Sequence, residues 1–152
     1  MRRPMTCAWL IGTVLMSGAH GAQPAHAPSV ETLLETGTTV LDQALTYPDG
    51  RARITAQRLR FPPGTRTPVH RHATPMFAYV LEGEFVVDYG TRGERTYRRG
   101  DAIVEALDWP HQGRNAGPGP VEILVVYAGA DGVTNTVIAD AASAATAVTA
   151  VD

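Results

Sequence analysis

Three histidines dominate the chemistry open to this chain: His70 and His72, one residue apart, and His111 in a later segment. Neutral imidazole is the commonest side-chain metal ligand, and three of them are a standard set for a divalent ion. Side chains two apart in an extended strand share a face, so His70 and His72 point the same way and Arg71 the opposite way. A lone His-x-His is a weak signal. It gains weight here because the third histidine comes with glycine and proline turns of the kind that position a small β-barrel.

The elements that must carry these residues read as strands and turns. Thr38 to Leu45 is β-permissive, and Tyr47-Pro48-Asp49-Gly50 is a turn in which proline presets φ and glycine takes a positive φ. Arg51 to Phe61 sets Arg51, Arg53 and Arg58 against Ala52, Ile54, Leu59 and Phe61, which predicts a long half-buried strand whose one break in phase suggests a bulge. Further strands are predicted at Val69 to His72, Met76 to Leu81, Glu84 to Tyr89, Arg95 to Arg98, Ala102 to Glu105 and Val121 to Ala128, with an edge strand at Thr134 to Ile138. Glu82-Gly83, Thr91-Arg92-Gly93 and Arg99-Gly100-Asp101 are the turns between them. Short strands with Gly/Pro punctuation and no convincing interior helix mean an all-β sandwich or barrel.

Residues 1–27 read as a signal peptide. Arg2 and Arg3 precede a short apolar run, Met5 to Met16, and Ala25-His26-Ala27 fits a cleavage site, with Ala19-His20-Gly21 as a weaker alternative. The run is shorter than the roughly 20 apolar residues a membrane span needs, so the expectation is a periplasmic or secreted protein with no membrane contact after cleavage. Cys7, the single cysteine, lies in this leader, which leaves no disulfide and no thiolate ligand in residues 28–138, the expected barrel domain. All thirteen basic residues are Arg against fifteen acidic ones, so no basic footprint for nucleic acid exists. Residues 139–152 form an Ala/Thr-rich tail with no large apolar residue to anchor it.

The glycine and histidine spacing resembles that of the cupin superfamily. The first cupin motif places a glycine, His-any-His, a glutamate and a glycine in series; here Gly64, His70, His72 and Gly83 match, while Met76 stands where glutamate is expected. The second motif is matched by Gly100, His111 and Asn115, with Ala106 and Asp108 replacing its proline and glycine. The likeness covers Ile54 to Tyr127. It implies an all-β cupin jelly-roll barrel, with His70, His72 and His111 as ligands of a divalent metal ion such as Fe, Mn, Ni, Cu or Zn. Homodimers are common in that family, and the strand Arg51 to Phe61 is a candidate interface element here.

Met76 changes the electrostatics such a resemblance would imply. Three neutral imidazoles leave a bound dication's charge uncompensated in a low-dielectric pocket, which favours capture of an anion. The Met76 thioether could itself ligate and soften the site toward copper, or it could simply fill the barrel. Glu82 and Glu84 are too far along to substitute, because the strand from Met76 to Glu82 spans about 20 Å. Glu105 could be a second-shell acceptor that fixes an imidazole tautomer, or an exposed charge at a strand end. Phe77, Tyr79, Phe85 and Trp109 are the candidate walls of a substrate pocket, Trp109 equally being a packing residue. A metal-free barrel with three water-bonded imidazoles stands as the alternative.

Three functions compete. One, implied by the resemblance of a three-His cupin site lacking glutamate to those of dioxygenases, is a non-haem metal-dependent dioxygenase acting on a small organic anion or diketone. The second is a non-catalytic module that binds or senses a metal or small ligand, since fold does not fix function. The third is a metal-independent isomerase or sugar-binding protein.

Overall fold

The computed structural model describes residues 28–139, so the expected leader, Cys7 and nearly all of the Ala/Thr-rich tail lie outside the described residues. Nine strands are described: β1 (Ala52–Phe61), β2 (His70–His72), β3 (Met76–Glu82), β4 (Glu84–Asp88), β5 (Glu94–Arg98), β6 (Ala102–Val104), β7 (Gln112–Arg114), β8 (Val121–Ala130) and β9 (Thr136–Ile138). The described helical structure is a single 3-10 turn, Gly90–Arg92.

The strands form antiparallel sheets in the orders β1-β8-β3-β6, β5-β4-β7 and β2-β9, the arrangement of a jelly-roll barrel. Alternation decides what faces inward. Met76, Ala78 and Val80 on β3 and Ile123, Val125 and Tyr127 on β8 are buried, and with Phe85 and Val87 of β4 they form the apolar core. Gly83 turns the chain from β3 in one sheet to β4 in another. Its φ of +81° and the 2.5 Å that would separate a Cβ from the Pro120 carbonyl admit only glycine there.

Three local expectations are corrected. Thr38 to Leu45 is not a strand: a single bridge joins Thr38 to Ala44, and Asp42 takes a left-handed φ of 62° within the turn. β-Propensity without a long partner strand makes no ladder. The segment instead fastens to the barrel, with Val40 N–H donating to Val104 O, Gln43 Nε2 donating to Leu107 O and Leu107 N–H donating to Gln43 Oε1. β1 carries no bulge, its register running unbroken from Ala52↔Ala130 to Phe61↔Val121. The phase break is absorbed by leaving Ile54 67% exposed, and β1 is mostly solvated rather than half-buried. β7 was not legible, since Gln-Gly-Arg has no apolar residue; a Cβ on Gly113 would overlap the Phe85 ring, so glycine lets these two strands meet.

Candidate metal centre

Backbone pairing brings the three histidines together. His70 and His111 form a directly opposed antiparallel pair, each N–H donating to the other's carbonyl at 2.9 Å. This sets their rings with centroids 4.5 Å apart, tilted by 55°. His72, two residues along β2, falls on the same face, its ring 5.0 Å from each of the other two. One ring nitrogen from each residue lies within 4.8 Å of the others. His72 and His111 are buried, and His70 is partly exposed.

The second nitrogen of every ring already has a partner. His70 Nδ1 lies 2.9 Å from Pro68 O, His111 Nδ1 2.9 Å from Trp109 O, and His72 Nδ1 3.1 Å from Thr136 Oγ1. Carbonyl oxygens only accept, so His70 and His111 carry their proton on Nδ1. Thr136 donates its own hydroxyl to Tyr127 Oη at 3.2 Å and therefore also accepts from His72. The Nε2 lone pairs are left free to converge. Burial lowers the pKa of all three imidazoles, assisted by the charge of His111 at His70 and of both neighbours at His72, which is pulled down to about 3. All three are thus neutral near pH 7, the state a metal requires. The donor set fits a divalent ion that accepts imidazole nitrogen.

The same rings face a cavity of about 230 Å³ with a mainly apolar wall of Leu59, Phe61, Val80, Phe85, Ile123 and Val125, among others. Met76 also lines it, beside the three histidines. Of the four pocket walls expected from sequence, the structure places Phe85 in the cavity and three elsewhere. Phe77 and Tyr79 occupy the alternate positions of β3, because Met76, Ala78 and Val80 take the inward face. Trp109 packs outside: its Nε1 donates to Tyr89 O at 2.9 Å, and the Arg92 guanidinium sits 5.7 Å from its ring.

Glu105 is neither an exposed charge nor an imidazole's acceptor. It is 3% exposed, lines the cavity, and accepts at Oε1 from Tyr89 Oη and from the Ala106 N–H, both at 2.7 Å. Burial pushes its pKa up, more than those two donors pull it down. A proline at 106 would have no N–H to give. Tyr97, unmarked in the sequence, also lines the cavity, its hydroxyl 3.1 Å from that of Tyr89. Since Tyr89 spends its proton on Glu105, Tyr97 is the donor of this second bond. The Tyr89 ring lies 5.7 Å from that of His111, so this array borders the imidazoles.

The remaining motif residues hold the frame. Asn115 is buried, with Nδ2 donating to Phe61 O and Gly119 O and Oδ1 accepting from Gly117 N–H. Asp108 adopts the left-handed φ of 47° that a glycine would take and pairs with Arg71 at 2.7 Å.

Residues 57–127 match the Cupin domain family. No curated protein matches the chain. Among solved structures, a sugar phosphate isomerase of the cupin superfamily from Silicibacter pomeroyi DSS-3 is 28% identical over 49% of this chain and 50% of its own, with a TM-score of 0.45. A DMSP lyase from Ruegeria pomeroyi DSS-3 is 26% identical over 56% of this chain and 42% of its own, with a TM-score of 0.49. The polyketide cyclase RemF from Streptomyces resistomycificus is 24% identical over 64% of this chain and 70% of its own, at a TM-score of 0.50. The chain spans half or less of the first two, and the third shares the fold alone. With the motif histidines gathered inside the barrel and the domain match centred on them, residues 57–127 form a cupin domain.

Proposed function

We propose that this chain is a metal-dependent cupin enzyme acting on a small organic anion or diketone, with dioxygenation as its reaction class. The observation that carries this reading is the convergence of three neutral imidazoles, each Nδ1 held by an acceptor, on the wall of an apolar cavity. His70, His72 and His111 would hold one divalent ion, which when bound polarises an anionic oxygen and leaves positions open for substrate and O₂. The chain's own residues bind and shield. The aliphatic and aromatic wall excludes water and takes the apolar body of the ligand, which strengthens electrostatics at the centre. Met76 adds no charge at this wall, so an anionic ligand compensates the ion. Export is part of this reading and rests on the leader pattern of residues 1–27.

The test is oxygen consumption by Fe(II)-loaded protein offered β-diketones and aromatic acids. Uptake that stops on chelation and in His111→Ala supports the reading. The second reading, ligand binding without turnover, is favoured by a wall with one carboxyl group, Glu105, among the described residues. Stabilisation by those compounds with no oxygen uptake would establish it.

A further inference from the structure

Glu105 is the cavity residue that neither the motif nor the three-imidazole cluster uses. Its two hydrogen bonds both end on Oε1. Oε2 accepts from no described residue. No fully enclosed side-chain oxygen among the described residues lacks a partner, so Oε2 opens on the cavity that Glu105 lines. A carboxyl group at 3% exposure, with one oxygen clamped from two sides and the other unpartnered, is costly to build unless something pairs with it.

We propose that Glu105 Oε2 is the specificity-determining acceptor of this cavity, hydrogen-bonding an O–H group of a small hydroxy acid or enol whose anionic oxygen faces the three imidazoles. This deepens the reading above and rests on it. The ligand then carries three features: an anionic oxygen for the metal centre, a nearby hydroxyl for Glu105, and an apolar body for the wall. The clamp makes the residue specific in direction. The Ala106 N–H and Tyr89 Oη hold Oε1 fixed, and Tyr97 in turn donates to Tyr89, so the carboxyl cannot swing to offer both oxygens to the ligand. An ether oxygen at the hydroxyl's place would face a carboxylate with no proton between them and be rejected.

The clamp also supplies a polarity-reversing variant. In Glu105→Gln the amide oxygen is held by the same two donors, which places the amide NH₂ where Oε2 stands. The probes are mandelate and α-methoxyphenylacetate, which share a carboxylate and a phenyl ring and differ in O–H against O–CH₃. Affinities are read by calorimetry on zinc-loaded wild type and Glu105→Gln, with zinc content and melting measured on the same samples. The steric cost of the added methyl is common to both proteins and cancels. The expected result is that the preference for mandelate falls by about ten- to a hundredfold in Glu105→Gln, the scale of a hydrogen bond to a charged acceptor. An unchanged preference with zinc bound, or binding of neither acid by zinc-loaded wild type, overturns the role of Glu105 and leaves the metal centre standing. Absence of zinc from wild type overturns the metal reading and this proposal with it.

Discussion

Thr136→Val acts on the imidazole whose outer nitrogen is held at 3.1 Å by a side-chain hydroxyl. His72 is 3% exposed, and its Nδ1–H donates to Thr136 Oγ1 at 3.1 Å, whereas His70 and His111 donate to backbone carbonyls that no substitution removes. Valine keeps the shape and the β9 register opposite His72, so the change is confined to the hydroxyl. Removing that hydroxyl acceptor costs about 1–3 kcal/mol in the metal-free protein. It also frees the proton to move to Nε2, where it competes with the ion, so metal affinity should fall by about 10- to 100-fold. Zinc competition against a chromophoric chelator reads the affinity, urea unfolding the stability, and ¹⁵N shifts of the His72 ring the tautomer. Tyr127→Phe controls for the hydroxyl's other bond, 3.2 Å to Tyr127 Oη. Unchanged zinc affinity with an unchanged His72 tautomer would refute the reasoning that Thr136 sets this ligand.

Three further outcomes follow from the same geometry. His72 titrates near 3 in the native protein against 6.5 in the unfolded chain, so below pH 6.5 the unfolded state binds more protons; metal-free stability should fall with pH toward about 3, by about 1.4 kcal/mol per pH unit from this residue. His70 and His111 act in the same direction, and a urea midpoint that is flat across this range would contradict the buried neutral cluster. Glu105 has the opposite sign: burial raises its pKa, so its contribution is present below pH 4.5 and is lost as pH rises through the raised value. Glu105→Gln should therefore gain stability on the metal-free wild type as pH rises, and a constant difference in denaturant midpoint across pH would count against the assignment. Gly83→Ala should destabilise by about 2 kcal/mol or more in chemical denaturation, because a left-handed φ and the Pro120 carbonyl both oppose a Cβ; a near-neutral effect would mean that the corner relaxes freely.

The sequence carried the frame of the site better than its walls. His-x-His in a strand already places two imidazoles on one face, and the spacing of Gly64, Gly83, Gly100 and Asn115 anticipates the turns that bring His111 opposite His70. Alternation along Met76 to Glu82 separates two faces, but nothing local says which one is concave, and the bulkier Phe77 and Tyr79 fall on the outer face. The same parity pairs Glu105 with Ile103 as a wall residue; its charge favours solvent, but the Ala106 N–H and Tyr89 hydroxyl receive it inside the barrel. The β4–β5 register sets Tyr97 opposite Phe85, and the Tyr89 and Tyr97 hydroxyls meet beside Glu105, a tertiary fact without a local signal. β7 was hidden for the reason that it works: a glycine strand that reads as a loop lets Phe85 approach.

The most direct measurement is the metal content of purified protein by mass spectrometry, with His70→Ala/His72→Ala as the control. Close to one divalent ion per chain in the wild type, lost in the control while its fold persists, is the predicted result. Wild-type protein that remains metal-free after exposure to Fe, Mn, Ni, Cu and Zn would contradict the account and leave a ligand-binding barrel with three neutral imidazoles.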